Sequence, residues 1–160
     1  MNAQELIFTA RELVADGVLG RVFNHLCSLP VMLEGMLLKP NMVVPGLACP
    51  TQEPVDEVAD ATVRCLLRAV PPSIPGIAFL SGGQSPELAT ARPNAMNVRF
   101  KSQLPWALAF SFARAIQQPA LEIWRGQEAH EAAAHKALYH RAKCNQAARR
   151  GEYDSAMERG

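Results

Sequence analysis

Gly76-Ile-Ala-Phe-Leu-Ser-Gly-Gly-Gln-Ser-Pro-Glu87 reads as a strand, a tight turn and a helix start in immediate succession. The apolar run 76–80 is short and bounded by breakers, which is the pattern of a short strand. Gly82-Gly83 supplies a tight loop. Ser85 followed by Pro86 matches an N-cap with proline at the first helical position, opening a helix to about Met96.

The same alternation appears on either side. Upstream, Val31-Met-Leu-Glu-Gly-Met-Leu-Leu-Lys39 is apolar apart from Glu34 and stops at Pro40, which predicts a first strand, buried on both faces. A Pro- and Gly-rich loop follows, and then a clear amphipathic helix. Val55, Val58, Ala59, Thr62, Val63, Leu66, Leu67 and Val70 recur at helical spacing, with Asp56 and Glu57 early, Arg64 and Arg68 late, and Pro71-Pro72 as the stop. Downstream, Trp106-Ala-Leu-Ala-Phe-Ser-Phe112 predicts a third strand, Arg114 to Trp124 a helix bent near Pro119, and Gln127 to about Arg150 a last long helix. Before all of these, Gln4 to about Leu26 carries an apolar stripe weakened by Gly17 and Gly20. Strands alternating with helices mean βαβ units and a parallel sheet, so the fold class is α/β.

With 160 residues, 49% hydrophobic, 19% charged and a net charge of +1, the chain has enough apolar material for one core. That balance excludes disorder as the main state and argues against a nucleic-acid partner. No apolar stretch is long enough to span a membrane, and no basic region precedes an apolar block at the N-terminus, so the expected location is cytoplasmic. Cys27, Cys49, Cys65 and Cys144 are far apart and are expected to be reduced, mostly buried thiols rather than zinc ligands. His130, His135 and His140 are spaced by five, which scatters them around a helix, so no metal site is expected from them.

In such units, functional residues gather where strands end. Lys39 ends the first strand, Ser81 follows the second, and Arg114 lies just past the third. Of the four lysines only Lys39 closes an apolar run. A neutral amine is the species that attacks a carbonyl, and burial favours the neutral form. The alternative is a lysine that simply emerges at the strand end. Ser81-Gly82-Gly83 before a helix is a plausible phosphate cradle, or only a turn. Arg114 would add a bidentate cation to the same anion, unless it is a solvent-facing helix-start arginine. Glu34, within the predicted strand, needs a partner, either Lys39 or a missing neighbour, or else faces a polar interior as structure.

Three segments together resemble the C-terminal half of class I fructose-bisphosphate aldolase: Leu33-Glu-Gly-Met-Leu-Leu-Lys-Pro-Asn-Met-Val43, Gly76-Ile-Ala-Phe-Leu-Ser-Gly-Gly-Gln-Ser85 and Pro105-Trp-Ala-Leu-Ala-Phe-Ser-Phe-Ala-Arg-Ala-Ile-Gln117. The resemblance runs from about Val31 to Arg150; residues up to about Arg21 match poorly. It implies a partial TIM (β/α)₈ barrel with about three parallel strands. Residues 1–30 would be an N-terminal helical segment, 31–126 the last βα units of the barrel, and 127–160 a C-terminal helix and tail.

By the same resemblance Lys39 would be the Schiff-base lysine, Ser81 and Gly82 would hold a substrate phosphate, and Arg114 would grip it. The implied reaction is the reversible cleavage of fructose 1,6-bisphosphate to dihydroxyacetone phosphate and glyceraldehyde 3-phosphate in glycolysis, with no metal or dissociable cofactor. The family's catalytic aspartate, acid/base glutamate and second active-site lysine lie on earlier strands that nothing here matches. Ala113 also replaces the glycine usual before the arginine. The expectation is therefore a truncated aldolase of doubtful activity alone, with a non-catalytic fragment that binds sugar phosphate or assembles with another chain as the alternative. A three-stranded sheet cut from a barrel leaves open edges, which favours a homo-oligomer or completion by another chain.

Overall fold

The computed structural model describes residues 3–46 and 48–159, with side chains from Arg11 onward. Leu6, Ile7 and Ala10 of the predicted N-terminal stripe therefore lie outside the described side chains. The elements are α1 (Ala3–Cys27), β1 (Leu37–Leu38), α2 (Val55–Ala69), β2 (Gly76–Phe79), α3 (Pro86–Phe100), β3 (Ala107–Phe110), α4 (Arg114–Trp124) and α5 (Glu131–Arg150), with short 3-10 turns at Leu33–Gly35, Glu128–His130 and Ser155–Arg159.

The three strands form one parallel sheet in chain order. Leu37 stands beside Gly76, and Gly76 beside Ala107; Phe79 stands beside Phe110. Because successive side chains alternate, each strand has a covered and an open face. Ile77, Phe79 and Leu108 are buried with Val58, Val63 and Leu66 of α2 and Ala89 and Met96 of α3. On the other face Leu37, Ala107 and Ser111 are exposed and Ala78 and Ala109 half-buried. The architecture is thus a three-strand section of barrel wall with its helical layer on one side.

Two predicted elements change shape. The strand expected over 31–39 is reduced to two residues, because Gly35 N–H donates to the Met32 carbonyl and Met36 N–H to Leu33, which closes a turn at Glu34. Met32 and Leu37 are 74% and 70% exposed, so the apolar run marks an open edge rather than burial on both faces. Glu34 is exposed on that turn, and the partner it was expected to need is not required. In contrast, α3 continues past Met96 to Phe100 despite Pro93. Asn97 Nδ2 donates to the Ala148 carbonyl (3.1 Å), and Arg99 pairs with Asp60 of α2 (2.8 Å), so packing carries the last turn.

The N-terminal helix is continuous through Gly17 and Gly20 and packs on α2. Glu12, 8% exposed, accepts from Arg64 and Arg68, and Asp16 accepts from Arg68 at 2.8 Å. Arg11 Nη1 donates to the Val44 carbonyl (2.7 Å), tying α1 to the loop after β1. Thr62 Oγ1 accepts from Val43 N–H (3.0 Å) and fixes the same loop from α2.

A second polar cluster joins α3, α5 and the tail. Arg141, 3% exposed, donates to the Pro86 carbonyl, to Thr90 Oγ1 and to Glu158. Tyr153 O–H donates to the other oxygen of Glu158 (2.8 Å). Burial works against the Glu158 charge, but hydrogen bonds from Arg141 and Tyr153 outweigh it, so Glu158 titrates below the ordinary carboxylate range. Of the four free thiols Cys65 and Cys144 are buried, Cys49 is half-buried and Cys27 is exposed, so "mostly buried" holds for only two.

Candidate functional site

The four sequence-predicted residues fall at one end of the sheet. Lys39 directly follows β1, Ser81 and Gly82 lie in the loop after β2, and Arg114 is the first residue of α4. Parallel strands in chain order place these three ends side by side along one rim.

The first two rim segments touch. Leu80 N–H donates to the Pro40 carbonyl (3.0 Å), continuing the ladder beyond both strands. Gly82 has φ +60°, and a Cβ there would stand 2.5 Å from Asn41 Oδ1. The third segment joins through Ser111 N–H, which donates to the Phe79 carbonyl (2.8 Å). Gly83, Gln84, Arg114 and Gln118 line a common groove of about 190 Å³ between the β2 loop and α4.

The β2 loop is held from beneath. Gln84 returns to the Ser81 carbonyl through both its backbone N–H (3.1 Å) and its side-chain Nε2 (2.8 Å). Gln84 Oε1 accepts from Arg92 Nη1 (2.6 Å), and Arg92 Nη2 reaches the Glu53 carbonyl (3.4 Å). Arg92 is 1% exposed, its Nε has no partner among the described residues, and burial pushes it below the ordinary arginine value. A buried cation with neutral partners biases the loop above it toward anions.

The two helix starts differ. The α3 start is closed by its own chain, since Ser85 Oγ accepts from Leu88 N–H (3.3 Å) and Glu87 occupies the first turn. The α4 start has no side-chain cap and no acid in its first turn, and it opens with Arg114, which is exposed. Its uncapped N–H groups and positive dipole end meet a guanidinium there, which suits an external anion.

Lys39 is exposed, on the same open face as Leu37. Its side chain is open to solvent at the strand end, and β1 is an edge strand of the sheet formed by the described residues. An amine, a glycine turn and a guanidinium along one rim can address a carbonyl and an anionic group of one small molecule.

Asn41, Gln84 and Arg92 were not singled out in the sequence. Arg92 left one trace there, a charged residue falling in register with the buried positions Ala89, Pro93 and Met96 of α3. The positions of Asn41 and Gln84 left none, because both act through loop geometry.

The family model described as "Glycolytic: Fructose-bisphosphate aldolase class-I" matches residues 6–160, so from residue 6 onward the match takes in the segment up to about Arg21 that was expected to match poorly. Fructose-bisphosphate aldolase C of Macaca fascicularis is 48% identical over 147 residues, covering 92% of this chain and 40% of the relative. Fructose-bisphosphate aldolase of Dictyostelium discoideum is 46% identical over 147 residues, covering 92% and 41%. A ternary co-crystal structure of fructose-bisphosphate aldolase from Plasmodium falciparum superposes with a TM-score of 0.87 at 42% identity, over 92% of this chain and 42% of that one. The chain spans about 40% of the length of the curated relatives it matches. On this match and this fold, the chain belongs to the class I fructose-bisphosphate aldolase family.

Proposed function

We propose that the rim is a portion of a Schiff-base aldolase active site. Lys39 forms the imine with the ketone of dihydroxyacetone phosphate or fructose 1,6-bisphosphate, and the protonated imine takes up the electrons of the cleaved carbon–carbon bond. Ser81, Gly82 and Arg114 hold a substrate phosphate, assisted by the uncapped start of α4 and by the Arg92 charge behind the loop. The reaction is the reversible aldol cleavage of fructose 1,6-bisphosphate in glycolysis, in the cytoplasm, without metal or dissociable cofactor. The observation that carries this reading is the convergence of Lys39, Ser81–Gly82 and Arg114 on neighbouring strand ends.

Acid/base groups are worth about 10²–10⁴ in rate, and the family carries them on strands this chain does not match. Turnover is therefore expected only where the strands that carry those groups complete the wall. The second reading is a sugar-phosphate-binding fragment without catalysis, favoured by the exposure of Lys39. Borohydride reduction in the presence of dihydroxyacetone phosphate, read by peptide mass spectrometry, separates the two. A substrate-sized adduct on Lys39, lost in Lys39→Ala and competed by inorganic phosphate, supports the first. A folded sample that binds the phosphate but gives no adduct overturns it and leaves the second.

A further inference from the structure

We propose that His140, Cys144 and Glu158 form a binding site for a zinc-class divalent cation, separate from the rim. His140 and Cys144 are four residues apart on α5 and share a face of that helix. The 3-10 turn Ser155–Arg159 folds Glu158 back onto it. Cys144 Sγ lies 3.7 Å from His140 Nε2, and His140 Nε2 lies 3.6 Å from Glu158 Oε2. The three donor atoms all lie within 4.8 Å of one another.

Those separations suit one small ion. With Zn–S about 2.3 Å and Zn–N and Zn–O about 2.0–2.2 Å, tetrahedral geometry puts sulfur and nitrogen about 3.6 Å apart and nitrogen and oxygen about 3.3 Å apart. The nitrogen–oxygen edge has to shorten by a few tenths of an ångström, and the sulfur–oxygen edge has to close from within 4.8 Å. The donor set of one thiolate, one imidazole and one carboxylate selects zinc and its first-row neighbours over magnesium or calcium, which prefer oxygen alone. On binding, the Cys144 S–H proton passes to solvent and the thiolate takes its place at the metal.

The supporting shell is already in place. Glu158 accepts from Arg141 on one oxygen and from Tyr153 on the other, and Arg141 is itself fixed by Thr90 and the Pro86 carbonyl. Such outer partners orient a ligating carboxylate. The Cys144 residue is fully buried, whereas the His140 and Glu158 side chains are 27% and 20% exposed, so solvent reaches the cluster from the His140 and Glu158 side.

The test is titration of the full chain with Co²⁺, followed by displacement with Zn²⁺. One equivalent of Co²⁺ should bind with an intense tetrahedral visible spectrum and a thiolate-to-cobalt charge-transfer band, and one equivalent of Zn²⁺ should erase both. Cys144→Ser should abolish the charge-transfer band, and His140→Gln and Glu158→Gln should each weaken Zn²⁺ binding at least about tenfold. Cys27→Ser and Cys49→Ser should leave the band unchanged. If Cys144→Ser does not fold, the His140→Gln variant decides, because that side chain is partly exposed and its loss leaves the packing intact. Absence of a charge-transfer band in the native chain overturns the site. So does a band that survives His140→Gln or disappears with Cys27→Ser or Cys49→Ser.

Discussion

Gly82 and Asn41 are in direct contact across the rim, with the Gly82 position so close that an added Cβ would stand 2.5 Å from Asn41 Oδ1. Two constraints coincide there, a left-handed backbone and a neighbour that leaves no space for a side chain. We expect Gly82→Ala to lower unfolding stability by about 2 kcal/mol in urea titration. Combining it with Asn41→Ala should return part of that loss, because the steric share disappears while the strained φ stays. Strictly additive effects in the double variant would mean that the two loops do not bear on each other.

Arg92 makes a different prediction. Its charge is buried among neutral partners, so Arg92→Met removes a desolvated cation along with the bond to Gln84. Global stability should change by less than about 1.5 kcal/mol. The turn over 81–84 should loosen, seen as faster amide exchange there than in α2. Unchanged exchange in the turn would show that Gln84 holds its position without help.

The α3–α5 junction should be more sensitive. Arg141→Met strips the buried bonds to Thr90 and the Pro86 carbonyl and leaves Glu158 without its cation. We expect a loss of about 2–4 kcal/mol. Glu158→Gln should cost less, since Arg141 keeps its other partners; the reverse order in thermal or urea melts would contradict the arrangement described.

Cys65 gives the chain an alkaline limit. Burial first, and the nearby Asp16 and Glu12 carboxylates next, push its thiol up to about 12 from 9.0. Between those values the unfolded chain loses a proton that the folded chain keeps, so stability falls as pH rises through that window, by up to about 1.4 kcal/mol per unit. Below pH 9 this contribution is fully present. Cys65→Ala should flatten the slope above pH 9 in melts run across pH, and in native labelling Cys27 should react well before Cys65. Early alkylation of Cys65 would contradict its burial.

How much of this was written in the residues depends on the range of the interaction. The α2 stripe from Val55 to Val70 and the Ser85–Pro86 start were readable because capping and periodicity are local. The rim positions of Lys39, Ser81, Gly82 and Arg114 followed from strand–helix alternation. The strand at 31–39 was overread because an apolar run does not reveal whether its neighbours are present, and here Met32 and Leu37 face solvent. The His140–Cys144–Glu158 cluster was missed for a related reason. Histidines compared only with each other fall on different faces, and the cysteine one turn away and the glutamate beyond Gly151 come together only when the tail folds back.

Strands that are neighbours in the sheet are also consecutive in the chain, each pair closed by a single connection bearing one helix, α2 for β1 with β2 and α3 for β2 with β3. No pairing has to wait for a distant part of the polypeptide, so loop-closure entropy is met in modest instalments and folding can spread outward from β2, the strand bonded on both sides. The backbone of Ile77 then becomes the slow clock of the molecule, opening only with the whole sheet, while Leu37 on the short edge strand exchanges by local fraying.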